Sequence, residues 1–205
     1  MGVRVMTTQA IMRLKAIELP SRDYEPDLIR FINIKSFESC VQNEVRCHIM
    51  SLIAKGISSA AEIASELNIA RTAIYRHLNM MEKSGLIVHY NNRFYVAARF
   101  FFVFDVDVDA DGIIKIQVFP DRGGFVDENL GFVLVKGPYC RCDICVYKDS
   151  CLKAVKNLAK KLNIKIRSES PLEAFREIVA TIAQRDVVNI IRRGYMIVKV
   201  PEVES

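Results

Sequence analysis

Ser59-Ala-Ala-Glu-Ile-Ala-Ser-Glu-Leu-Asn-Ile-Ala-Arg-Thr-Ala-Ile-Tyr-Arg-His-Leu-Asn-Met-Met-Glu-Lys-Ser-Gly85 is the stretch that decides the fold of this chain. Its first four residues have the form of a capping box, in which the serine side chain accepts a backbone N–H three residues on and the glutamate reaches back to the serine's own N–H. Ile63, Ala64 and Leu67 supply the short apolar face of the helix so started. After the turn Asn68-Ile-Ala70, Ile74, Leu78 and Met81 recur at helical spacing and face inward. That leaves Arg71, Thr72, Tyr75, Arg76 and Asn79 outward, and Gly85 suits the end of the helix. Upstream, Val45, Ile49, Leu52 and Ile53 form one stripe that starts after Glu44 and stops at Gly56. Downstream, Leu86 to His89 and Phe94 to Val96 flank Tyr90-Asn-Asn-Arg93, two apolar runs about a turn.

Three helices followed by a hairpin over residues 44–97 make a winged helix-turn-helix. A major groove admits one helix, and only outward side chains near its N-terminal half reach base edges. Arg71, Thr72, Tyr75, Arg76 and Asn79 are therefore the candidate DNA contacts, with Arg93 of the hairpin set for the backbone. Periodicity alone is equally met by a three-helix core whose arginines only solvate the surface. Residues 60–87 as they stand resemble the core of archaeal and bacterial winged-helix regulators of the ArsR and MarR type, and the winged helix of which they are part, 44–97, is about a quarter of the chain. The resemblance implies double-stranded DNA as partner. Two-fold pairing would let one short helix read a palindrome, so a homodimer is expected. One departure stands out: the capping Ser or Thr expected before the reading helix is Ala70, which weakens that helix start by about 1 kcal/mol.

The chain has 205 residues, 51% of them hydrophobic, and a formal charge of +5, enough for one good core or two small ones and mildly basic. No apolar run approaches the roughly 18 residues of a membrane span, and the N-terminus lacks a signal peptide's apolar core, so a cytoplasmic location without membrane contact is expected. No Ser/His/Asp set, phosphate-cradling loop or paired carboxylates mark a catalytic site, and a non-enzymatic role is expected. The sequence divides into an N-terminal arm at 1–43, the winged helix at 44–97 and an α+β segment at 98–205. In the arm, Ile11 to Leu19 is a strand or helix, Pro20 to Asp23 a turn and Pro26 to Ser39 a helix. The arm serves either dimerisation or packing on its own domain.

Past residue 97, Arg99 to Asp109 and Ile113 to Phe119 bracket Ala110-Asp-Gly112 as a hairpin. Asp107-Val-Asp-Ala-Asp-Gly112 imitates the opening of a calcium loop, but Val118 holds the position where a bidentate Glu is required. Asp121-Arg-Gly-Gly124 reads as a loop and Gly131 to Val135 as a strand. Cys140, Cys142, Cys145 and Cys151 then place four of the six cysteines within twelve residues, spaced C-x-C-x2-C-x5-C. In a reducing compartment such clustering points to a metal before a disulfide framework. Zinc is the first expectation and a [4Fe-4S] cluster the alternative, with Arg141, Lys148 and Lys153 offsetting a negative centre and Cys151 opening a helix. Cys142-x2-Cys145-x5-Cys151 resembles the cysteine triad of RecB-like CRISPR-associated nucleases, but none of that family's nuclease residues accompanies it. Cys40 and Cys47 are expected in the core, and His48, His77 and His89 are expected to be structural or at the surface.

Residues 152–162 form a basic amphipathic helix, whose lysines serve either phosphate contact or plain solvation, and Ile164 to Ile166 a short strand. Ser170-Pro-Leu-Glu173 starts a helix whose stripe runs to Ile191 and builds either a dimer seam or a cover for the sheet. Tyr195 to Val200 is a last strand. The expectation is an α+β protein: a winged helix followed by a small α+β domain with a four-cysteine metal knuckle, acting as a sequence-specific transcriptional regulator responsive to metal or redox state. By resemblance to the archaeal transcription factor E family, a general transcription-machinery subunit is the second reading. A nucleic-acid-processing component of defence systems is the third.

Overall fold

The computed structural model describes residues 24–108, 110–111 and 113–188. The expected segments at 11–19, 20–23 and 195–200 lie outside them, as does the end of the helix expected to reach Ile191. Strand β1 (Asp27–Asn33) leads into α1 (Ile34–Val41), followed by α2 (Glu44–Ala54), α3 (Ala60–Leu67) and α4 (Arg71–Lys83). The hairpin β2 (Ile87–Tyr90) and β3 (Arg93–Val96) completes the winged helix. Three longer strands follow, β4 (Ala98–Val108), β5 (Ile114–Asp127) and β6 (Gly131–Lys136), and then α5 (Lys148–Lys161) and α6 (Pro171–Ile182).

The four-stranded sheet has the order β1-β4-β5-β6, with β1 parallel to β4 and the other pairs antiparallel. Parallel neighbours need a crossover. Here the crossover is the winged helix itself, since everything from α1 to β3 lies between β1 and β4 in sequence. Strand alternation then sorts the two faces. Phe101, Val103 and Phe132 face the winged helix and share its core with Ile49, Ile63, Ile74, Leu78 and Met81. Phe100, Phe102 and Phe125 face the other way and are covered by Val155 and Leu158 of α5 and by Phe175, Ile178 and Ile182 of α6. Each such fully buried side chain contributes about 1.5–3 kcal/mol. One core thus draws on residues from all three stretches into which the sequence divides, with Ile32, Phe37 and Cys40 of the arm, Ile74 of the winged helix and Phe101 beyond it.

Several expectations are corrected. Pro26 to Ser39 is half strand and half helix, because residues 27–33 pair in register with 98–104. The break falls at Asn33, whose side chain accepts from Lys35 N and caps α1. The expected loop at 121–124 lies inside β5. Gly123 and Gly124 pair with Phe102 and Phe101, and aromatic rings fill the space their side chains would take. A Cβ on Gly124 would meet the Phe132 ring at 2.6 Å, and one on Gly123 would meet Phe101 O at 2.8 Å and the Phe175 ring at 3.0 Å. Rings lying over glycines compensate for the weak strand former. Residues 164–166 form no strand and lie in the connection from α5 to α6. Helix α5 starts at Lys148, so Cys151 closes its first turn rather than opening it. Finally, the apolar stripe of α6 covers the sheet, so within the described residues it is no dimer seam.

Candidate nucleic-acid interface and thiol cleft

Helix α4 is seated from below and free above. Ile74, Leu78 and Met81 of α4 are fully buried. Arg30 of β1 donates to Gly85 O at 3.0 Å and Cys40 donates to Ser84 Oγ at 3.0 Å, which fixes the C-terminal end of α4 to β1 and α1. Cys47 likewise donates to Val41 O at 3.2 Å, so both cysteines serve packing. The N-terminal end of α4 has no such brace: Ala70 stands at the N-cap with extended backbone and no side-chain cap. In contrast, α3 has its capping box formed in both directions between Ser59 and Glu62. Those hydrogen bonds hold the Glu62 carboxyl below the usual carboxylate range.

Arg71, Thr72, Tyr75, Arg76 and Asn79 all lie on the exposed face of α4. Arg71 folds back over the Tyr75 ring, 5.7 Å from its centroid, and donates to Tyr75 Oη at 3.4 Å. Arg76 makes no comparable contact within the helix and is the freer cation. His77 faces α2, where its Nδ1 accepts from Arg46 Nε at 3.4 Å. Burial and that guanidinium push the imidazole pKa down, so it is neutral at pH 7. At the wing, Asn91 and Asn92 both adopt positive φ, 49° and 59°, as a two-residue hairpin turn requires. Arg93 follows, exposed but tethered: its Nη1 donates to Ser58 Oγ at 3.3 Å, and it lies near enough to Glu62 to stabilise that carboxylate. His89 stacks on Phe94 with centroids 4.5 Å apart.

The basic helix α5 stands across the sheet from α4, so its lysines do not extend the face α4 presents. Lys156 pairs with Glu169 at 2.8 Å and Lys161 lies 3.8 Å from Glu128, which neutralises part of the run.

The four clustered cysteines are brought to one place. Cys140, Cys142, Cys145 and Cys151 all line an open cleft of about 890 Å³ beside β6, which His48, Ser51 and Lys55 of α2 also line. Lys136 N–H donates to Cys140 Sγ at 3.3 Å, and burial pushes the Cys142 thiol up. Burial and the three neighbouring thiols push Cys151 up to about 11. Among the described residues, no three His, Cys, Asp or Glu side chains are grouped as an ion requires. The participation of His48, Ser51 and Lys55 was not legible in the sequence, because nothing local links α2 to residues 140–151.

Residues 43–88 match the family model described as bacterial regulatory protein, arsR family. Over those residues the chain is similar to an ArsR-family helix-turn-helix, which supports a DNA-binding, regulatory class of function. The ArsR match ends within β2 and reaches neither β3 nor the four clustered cysteines, so the knuckle and its likeness to RecB-like nucleases gain no support from it. Comparison with curated proteins and with solved structures gave no match. Among the described residues no helix is long and apolar enough to cross a membrane.

Proposed function

We propose that the protein is a sequence-specific transcriptional regulator that reads operator DNA with α4, using Arg71, Thr72, Tyr75, Arg76 and Asn79 for the groove and Arg93 for the phosphates of an adjacent strand. One observation carries the reading: within the ArsR-matching segment, the apolar stripe of α4 is buried while its polar face, with two arginines near the N-terminal half, is open to a partner. Arginine paired to guanine is the commonest specific base contact in a major groove. The protein is proposed to act as a homodimer, since one such helix offers too few contacts for a discrete operator. A response to metal or redox state would pass through the cleft in which the thiol-bearing loop faces α2, the helix on which α4 rests.

Selection of bound duplexes from a random pool, followed by genomic footprinting, tests this. An enriched palindrome and a small set of discrete sites are expected. Absence of any enriched motif, or occupancy at most promoters, would overturn specific regulation in favour of a general machinery role. Sedimentation equilibrium with and without the selected duplex checks the pairing, and a monomer mass in both would remove the dimer.

A further inference from the structure

The knuckle differs from every other part of the described surface. Its loop carries four large apolar side chains turned to solvent: Tyr139, Ile144, Val146 and Tyr147, the third of them 90% exposed. No residue from 139 to 150 is buried. The loop is therefore not held by a core of its own, and moving it sacrifices little buried area. What it does hold in common is sulfur. Three thiols lie on the loop and the fourth is anchored on α5, where Cys151 N–H donates to Tyr147 O at 2.8 Å. All four line the same cleft.

A backbone N–H already points at one of the sulfurs, from Lys136 to Cys140. Four adjacent thiolates without a cation would repel one another, and a bound cation reverses that balance.

We propose that Cys140, Cys142, Cys145 and Cys151 ligate one thiophilic metal centre, a single zinc(II) ion or a [4Fe-4S] cluster, on which the loop closes. Cys151 on α5 and the donor to Cys140 set the fixed side, and Cys145 is the exposed ligand. As placed, the thiols are not grouped for an ion, so closure accompanies binding. Loading zinc exchanges four S–H bonds for four Zn–S bonds and releases up to four protons to solvent, with no change of oxidation state. Arg141, Lys148 and Lys153, on the loop and in the first turns of α5, offset the resulting negative charge. The metal deepens the proposed response to metal or redox state, but its test reads the metal directly and does not depend on DNA binding.

The test uses the full chain purified with oxygen excluded. Elemental analysis is expected to give about one zinc per chain, or about four irons with a broad visible band that bleaches on reduction. Stripped, reduced protein titrated with cobalt(II) should develop thiolate charge-transfer absorption that saturates at one equivalent. The double variant Cys142→Ser/Cys145→Ser should lose both metal and cobalt signal while its far-ultraviolet circular dichroism holds, since both positions lie outside any helix, and Cys47→Ala should keep them. Neither element in the purified protein together with no cobalt–thiolate band would overturn the proposal, as would two disulfides joining these cysteines or full metal content in the double variant.

Discussion

Replacing Arg76 with alanine removes the cation on α4 that has no competing partner within the helix, and giving up a bidentate pairing with a base at that position costs about 1–3 kcal/mol, roughly 5- to 150-fold in Kd. Arg71→Ala should cost less. In the free protein the Arg71 guanidinium sits 5.7 Å over the Tyr75 ring and donates to its hydroxyl at 3.4 Å. Turning it toward a base edge forfeits an exposed cation–π interaction of about 0.5–1 kcal/mol. The net cost of removing Arg71 is therefore about 0.5–2 kcal/mol, smaller than for Arg76. Arg93→Ala should weaken all duplexes alike. It should also lower the salt slope by less than the roughly 0.9 expected of a free phosphate contact, because Arg93 is already tied to Ser58 and close to Glu62. Fluorescence anisotropy against the selected duplex and a scrambled one, over a range of salt, measures all three. All three side chains are exposed, so unchanged melting temperatures would confirm that binding alone is perturbed. Unchanged affinity in both helix variants, or equal losses on specific and scrambled DNA, would refute the assignment of α4 as the reader.

Ala70→Ser should supply the cap α4 lacks and raise stability by about 1 kcal/mol, or about 2–4 °C in melting temperature. The backbone at 70 is already extended and the site exposed, so a lower or unchanged melting temperature would count against this account of the helix start. Gly123→Ala, at φ 151° with Phe101 O 2.8 Å from the new Cβ, should destabilise by about 2–4 kcal/mol in urea titration, whereas a loop at 121–124 would tolerate it. His77 is depressed in the folded chain relative to about 6.5 unfolded, so protons favour the unfolded state: its contribution is present above about pH 6.5 and lost as pH falls through the folded value. His77→Gln should flatten that part of the stability profile between pH 7.5 and 5, and an unchanged profile would exclude His77 as its source.

The winged helix was legible because its signals are local. A capping box needs only Ser59 and Glu62, three residues apart; a two-residue hairpin turn needs only Asn91 and Asn92; a buried stripe needs only Ile74, Leu78 and Met81 on one helix. The clustering of four cysteines was equally plain, since it is a spacing. What failed were segments whose local pattern suits two structures. Residues 26–39 carry apolar side chains that serve a helix or a strand, and pairing with residues 98–104, about seventy positions later, decides between them. Gly123 and Gly124 announce a loop by composition, and the rings of Phe175 and Phe132, from α6 and β6, make them a strand.

By itself, then, the sequence determined the winged helix, the outward residues of α4 and the spacing of the four thiols, because each follows from bonds and periodicities a few residues long. Tertiary structure alone decided that the winged helix is a crossover between two parallel strands, that both faces of one sheet are covered, and that residues of α2 line the same cleft as the four thiols. These depend on which distant apolar faces bury one another, and that is a property of the whole chain, since burial rewards the total area removed from water rather than any local order of residues.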